Sequence, residues 1–161
     1  MMALLARVPV SLRRRGYRLA YALLCVYWFV RRPECHGVKC VLTDGELVLL
    51  VRHTYGPAQW DLPGGALKSG EEPRLTARRE MHEELGVDIT AWESIGTHTG
   101  RMHSRHDVVH CFHAELHEPT LTLDLGELVG ARWFALAAVP ADLGVYVEPI
   151  LAMLPRSSAG D

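Results

Sequence analysis

The chain lacks an apolar run long enough to cross a bilayer. The longest, Leu19 to Val30, stops at twelve residues, against the roughly 20 that a spanning helix needs. Cysteine is scarce too. Cys25, Cys35, Cys40 and Cys111 contain no Cys-x-x-Cys pair, so they read as reduced, mostly buried thiols rather than a disulfide framework. Cys35, His36 and Cys40 are the one set with zinc-binding residue types, but their spacing is irregular and no second pair follows. Repeats and low-complexity tracts are missing. Acid is missing from residues 1 to 32, which carry seven Arg and no Asp or Glu. The remainder holds ten basic and nineteen acidic residues, so the net charge of −2 hides a basic leader on an acidic body. An acidic body argues against nucleic acid as a partner, because that affinity comes largely from Lys and Arg on phosphates. If it handles phosphates, metal ions must bridge the charge.

What is present is enough for one domain: 161 residues, 48% of them hydrophobic, can bury a real core. Residues 1–36 read as a basic and apolar helical segment and residues 37–161 as the domain proper. The basic start and short apolar centre of the leader resemble a signal peptide, yet Arg31-Arg32-Pro33-Glu34 stands where a small-residue cleavage site would be. Three readings follow for the leader: a helix packed on the domain or across a homodimer, a helix lying peripherally on an anionic membrane, or a targeting segment. The expected location is cytoplasmic, with peripheral membrane contact under the second reading.

Along the domain, residues 38–42 and 46–53 are β-rich and flank Asp44-Gly45, a strong hairpin signal. Residues 59–63 read as a short strand leading into Gly64-Gly65. A helix is predicted from Glu72 or Pro73 to a cap at Gly86. Residues 89–97 and 107–116 read as strands separated by a polar loop from Gly100 to His106. Residues 120–125 alternate like another strand, residues 130–136 form the last one, and a closing helix after Pro140 is interrupted near Pro149. The order implies a mixed sheet covered by helices on both faces.

The richest stretch runs from Gly64 to Val87. On a helix, Glu80, Glu83 and Glu84 share one face. Three like charges that close repel, and a hard divalent cation would reconcile them. Ala77, Met81 and Leu85 form an apolar stripe roughly 100° away, suited to seat the helix in a core. Gly64 and Gly65 allow a tight turn and close backbone approach.

Gly65, Glu71, Arg79, Glu80, Met81, Glu83, Glu84, Gly86 and Val87 fill every defined position of the pattern G-x5-E-x7-R-E-U-x-E-E-x-G-U, with U apolar. In this the chain resembles the Nudix hydrolases. Trp60-Asp61-Leu62-Pro63-Gly64-Gly65 and Trp133-Phe134 resemble the MutT-like branch. The resemblance implies an α/β/α sandwich that cleaves a nucleoside diphosphate derivative by water attack, with Mg²⁺ or Mn²⁺ as cofactor. It implies Glu80, Glu83 and Glu84 as metal ligands, joined by the Gly64 carbonyl, with Glu71 and Arg79 bracing loop against helix. The general base is Glu80, Glu83 or a downstream acid, for which Glu127 is the candidate and Asp124 the runner-up.

The substrate is a small nucleotide or other diphosphate. Subgroup markers for ADP-ribose, dinucleoside polyphosphates and coenzyme A are missing, which favours a (deoxy)nucleoside triphosphate, an oxidised one included. A nucleotide sugar, a lipid-linked diphosphate and a catalytically silent ligand sensor are the alternatives. Arg52, His53 and Tyr55 are candidate phosphate or base contacts, Trp60 a base-stacking or core residue, and Arg101 and Arg105 candidates for a terminal phosphate. Five His between residues 98 and 113 lack the spacing of one strand face, so cleft and surface positions are expected of them.

Overall fold

The computed structural model describes residues 8–102 and 104–155. Its elements are α1 (Val10–Arg31), β1 (Glu34–Asp44), β2 (Leu47–His53), α2 (Pro73–Leu85), β3 (Glu93–Met102), β4 (Arg105–Glu115), β5 (Leu128–Ala135), a 3₁₀ turn (Leu136–Ala138) and α3 (Val147–Leu151). The five strands form one mixed sheet in the order β3-β4-β1-β2-β5. β1 and β4 run parallel at its centre, and the other pairs are antiparallel.

Alternation along the central strands builds two cores. Val38, Cys40 and Leu42 of β1 and Leu49 and Val51 of β2 face α2, where they meet Ala77, Met81 and Leu85. All three members of the helix stripe have no exposed surface. On the other face, Val41, Val48 and Leu50 pack with Tyr146, Val147 and Ile150 around α3. The mixed sheet with helices on both faces is therefore present, with the extra N-terminal helix alongside.

β1 and β2 pair only at Thr43–Val48 and Asp44–Leu47. Beyond that they part, and the chain from Trp60 to Leu67 fills the gap. Asp61 exchanges backbone hydrogen bonds with Val51 at 2.8 and 2.9 Å, while Val38 donates to Gly65 at 2.8 Å and Cys40 to Pro63 at 2.9 Å. The stretch expected as a short strand thus makes isolated bridges and acts as a wedge. Lys39 pins it by donating to the Asp61 carboxylate at 2.8 Å and to the Leu62 carbonyl at 2.7 Å.

Three expectations need correction. Gly100 to Met102 and Arg105 to His106 lie in β3 and β4 rather than in a loop, because the polar residues stand on a paired ladder. His103 lies outside the described residues. Residues 120–125 join no sheet; Thr122 and Asp124 donate instead to the carbonyls of Leu85 and Glu84 at 2.8 and 3.0 Å. A helix leaves its last carbonyls without internal partners, and this strap supplies donors while Leu121 and Leu123 pack on the core. The alternation seen in sequence was packing against a helix end. Finally, Pro149 sits inside the first turn of α3 without breaking it, since an N–H there has no helical partner to lose.

Candidate metal and phosphate site

The site is assembled where α2, the wedge loop and the end of β2 converge. α2 starts at Pro73 and stops at Gly86, whose φ of 70° is left-handed, a conformation that favours glycine. A side chain there would also strike Thr122 of the strap. The helix is thereby fixed at both its core face and its end, and its acidic face is held toward the wedge.

Arg79 organises that face. Its guanidinium grips Glu71 through Nε–Oε1 and Nη2–Oε2, both 2.8 Å, and reaches Glu80 at 2.6 Å and Glu83 at 3.2 Å. The Glu71 fork ties the loop to the helix, and Glu71 also accepts the Lys68 N–H at 3.1 Å. The Arg79 hydrogen bonds hold the Glu71 carboxyl down at about 2. Glu80, by contrast, is pushed up because burial outweighs its bond to Arg79.

Glu84 is the most confined of the acids, with 1% of its surface exposed. Its Oε2 accepts the Gly64 N–H at 3.2 Å, while Oε1 is buried with no partner. Burial, then the nearby Glu127 and Glu80, drives its pKa well above the ordinary carboxylate range. An ionised carboxylate so placed is costly without a cation.

Glu127 reaches the same spot from another direction. The turn after the strap is closed by Glu127 and Leu128 donating to the Asp124 carbonyl, and Thr54 fastens it to β2 through the Glu127 and Gly126 carbonyls, both at 2.8 Å. Tyr55 donates its hydroxyl to Glu127 at 2.8 Å, and Tyr17 of α1, stacked on the Tyr55 ring with centroids 5.8 Å apart, stands near the same carboxylate. Burial raises Glu127 as well, partly offset by the Tyr55 bond. His53 completes the group. One atom from each of His53, Glu84 and Glu127 lies within 4.8 Å of the other two, and His53 Nδ1 is buried without a partner. Burial and then Lys39 lower His53 to about 4, so its imidazole is neutral at physiological pH. Orphaned oxygen and nitrogen lone pairs converging among acids fit a divalent cation in donor type.

A family model described as the NUDIX domain matches residues 34–153. The chain belongs to the NUDIX family. Among NUDIX relatives, ADP-ribose pyrophosphatase of Mycobacterium tuberculosis is 48% identical over 48 residues, 29% of this chain and 23% of that protein. NAD-capped RNA hydrolase NudC of Pseudomonas aeruginosa is 31% identical over 101 residues, 62% of this chain and 36% of that protein. The chain therefore matches only about a quarter to a third of the length of these relatives. A Bacillus subtilis protein provisionally named 8-oxo-dGTP diphosphatase is 30% identical over 100 residues, covering 62% of this chain and 65% of its own. The crystal structure of a MutT NUDIX hydrolase from Burkholderia pseudomallei superposes with a TM-score of 0.70 at 20% identity, over 76% of this chain and 98% of the other. At that identity the likeness concerns the fold.

Within this NUDIX fold the other candidates are dispersed. Arg52 points to the face opposite His53, paired with Asp142 and lying 4.5 Å over the Trp60 ring, which meets Phe134 edge-on at 5.0 Å. Arg101 is exposed on β3 opposite His106. Arg105 is engaged by Asp107 at 2.6 Å and by the Trp28 ring at 3.8 Å. Asp124 binds Arg13 of α1 at 2.6 Å and the Gly126 N–H at 2.8 Å, so it holds the turn and the leader. Cys35 and Cys40 stand five apart on β1, hence on opposite faces, and do not gather with His36, which pairs with Glu34. His98, His110 and His113 go separately to Tyr146, His36 and Thr43. Two contributors were missed from sequence. Lys39 is the lone charge in the apolar run from Val38 to Leu42, a readable signal. Tyr17 comes from the leader, and nothing local announces its partner.

Arg79→Lys keeps the charge but loses the planar fork. Supporting contacts to metal ligands are typically worth about 10–100-fold in activity or affinity. We expect kcat to fall by that factor while the melting temperature barely moves. A kcat equal to wild type would remove Arg79 from its organising role.

Proposed function

We propose that the protein hydrolyses a phosphoanhydride bond in a nucleoside diphosphate derivative, with a (deoxy)nucleoside triphosphate as the preferred substrate and Mg²⁺ or Mn²⁺ as cofactor. The observation that carries this is Glu84, fully buried, with one carboxylate oxygen unpartnered beside Glu127 and His53. Glu80, Glu83 and Glu84 would hold the metal, with the Gly64 carbonyl and His53 as further donors. A cation held there supplies charge neutralisation on the diphosphate and lowers the pKa of bound water.

The chain's own residues divide the remaining work. Arg79 orients Glu80 and Glu83, and Gly64 orients Glu84. Glu127, held by the Tyr55 hydroxyl at Oε1, takes the proton of the attacking water through its other carboxylate oxygen. His53 and Tyr55 border the reacting group, and Arg101 stays available in solvent for a more distant phosphate. The high identity to the ADP-ribose enzyme spans only 48 residues and speaks to cleavage chemistry. The longer match to the Bacillus protein supports the triphosphate reading.

The test is turnover with Mg²⁺ or with EDTA across nucleoside triphosphates, nucleotide sugars, dinucleoside polyphosphates and prenyl diphosphates. Triphosphates should turn over only with metal, and Glu83→Gln should abolish this. Silence across the whole panel would overturn the enzymatic reading, and preference for another diphosphate would overturn the substrate class.

A further inference from the structure

α1 is folded inside out relative to an ordinary surface helix. An amphipathic helix turns its apolar stripe to the core and its charges to water. Here the side toward the domain is polar and aromatic. Arg13 binds Asp124 at 2.6 Å, Arg14 the Leu125 carbonyl at 2.9 Å and Arg18 the Thr54 carbonyl at 3.0 Å. Tyr17 and Tyr21 pack on Tyr55 with centroids 5.8 and 5.6 Å apart, and Trp28 lies under Arg105. The opposite side carries Leu12, Leu19, Leu23, Val26 and Val30, exposed by 57, 63, 63, 63 and 70%. At about 100° per residue these five fall within roughly 60° of one another, and Phe29 beside them is 67% exposed. Such a stripe is on the order of several hundred Å², the size that marks an interaction site rather than ordinary surface.

Charge decides what covers it. Arg15, Arg31 and Arg32 are exposed at the two ends of the stripe, and residues 1–32 contain no acid. A second copy laid parallel would set each Arg against itself, and one laid antiparallel would set Arg15 against Arg31 and Arg32. Both arrangements bury apolar surface only by juxtaposing like charges, which disfavours them. An anionic bilayer meets both features together: acyl chains take the stripe and headgroup phosphates take the guanidiniums. Tyr27, half exposed at the stripe's margin, suits the headgroup boundary. Among the described residues no helix is long and apolar enough to cross a membrane, so the helix would lie along the surface.

We propose that the outward apolar face of α1 docks the protein peripherally on an anionic lipid bilayer, with Arg15, Arg31 and Arg32 meeting the headgroups. Docking in this orientation puts α1 between the bilayer and the Tyr17–Tyr55–Glu127 corner of the site, which then stands about a helix diameter (~10 Å) behind the membrane surface. The proposal rests on α1 alone and stands whether or not the hydrolase reading holds.

The experiment is flotation of the full chain with vesicles of phosphatidylcholine alone or enriched in phosphatidylglycerol, with light scattering of the lipid-free protein in parallel. Wild type should float with the anionic vesicles, and the partitioned fraction should drop at least about tenfold on neutral vesicles or at high salt. Leu19→Glu with Val26→Glu should abolish flotation with an unchanged melting temperature, because both residues face water. Arg15→Gln, Arg31→Gln and Arg32→Gln together should weaken it at least about tenfold. Failure of wild type to float, equal flotation on both vesicle types, or a lipid-free dimer that the Leu19/Val26 pair dissociates without any flotation would each overturn the proposal.

Discussion

Glu84→Gln should cost on the order of 10³-fold in kcat, since metal stabilisation of a charged transition state is worth several kcal/mol and each ~1.4 kcal/mol is tenfold. Gln keeps the shape of Glu84 and can still accept the Gly64 N–H at Oε1. What it removes is the negative charge on the one acid with no exposed route to water. The same change should stabilise the metal-free protein. The pKa of Glu84 is raised above its usual 4.5 by folding, so its contribution to stability is fully present below about pH 4.5 and is lost as pH rises through the folded value. Glu80 and Glu127 shift in the same direction. In EDTA the wild-type melting temperature should therefore fall as pH rises above about 4.5, and Glu84→Gln should flatten that fall. A variant with wild-type kcat, or an equally steep decline, would show that Glu84 is merely a buried acid.

Gly64→Ala should strongly destabilise the fold. Gly64 has a φ of 145°, and an added Cβ would overlap the Val38 carbonyl oxygen. That oxygen is backbone of a central strand to which the loop is bound on either side, through Cys40 to Pro63 and Val38 to Gly65. Nothing flexible can move aside. Backbone strain and overpacking together cost about 3–5 kcal/mol, a drop of roughly 10 °C in melting temperature for a chain of this size. Gly65→Ala makes the control, because there the Cβ meets the Glu80 carboxylate, the end of a flexible side chain. It should reduce activity more than stability. Gly70→Ala, with a φ of 75° but nothing within 4 Å, should cost only the strain. A melting temperature for Gly64→Ala equal to that of Gly70→Ala would mean the loop is not wedged as described.

The parts of the site legible in sequence are those encoded within α2 and its approach loop. Spacing along one helix put Glu80, Glu83 and Glu84 together and put Ala77, Met81 and Leu85 on the core side, because helical geometry is local. Long-range partners were less readable. Arg52 and His53 were grouped as one set of contacts, although two-residue alternation from Val51 sends only His53 to the α2 face. Arg105 looked like a free cation until Trp28, 77 positions earlier in the chain, proved to cover it. Residues 120–125 imitate a strand because Leu121 and Leu123 alternate toward the core, and only the orphan carbonyls of α2 explain where their backbone bonds go. The leader deceived in another way. Its apolar run suggested a buried face, yet the arginines and tyrosines dock and the leucines and valines face outward.

The central claim is that Glu80, Glu83 and the buried Glu84 of α2 hold a divalent cation. Titrating Mn²⁺ into the metal-free protein and following the free-ion signal by electron paramagnetic resonance tests it without any knowledge of the substrate. The wild-type chain should remove Mn²⁺ from solution, Mg²⁺ should compete for it, and Glu84→Gln combined with Glu80→Gln should leave the free signal undiminished. Equal Mn²⁺ uptake by wild type and the double variant would contradict the account.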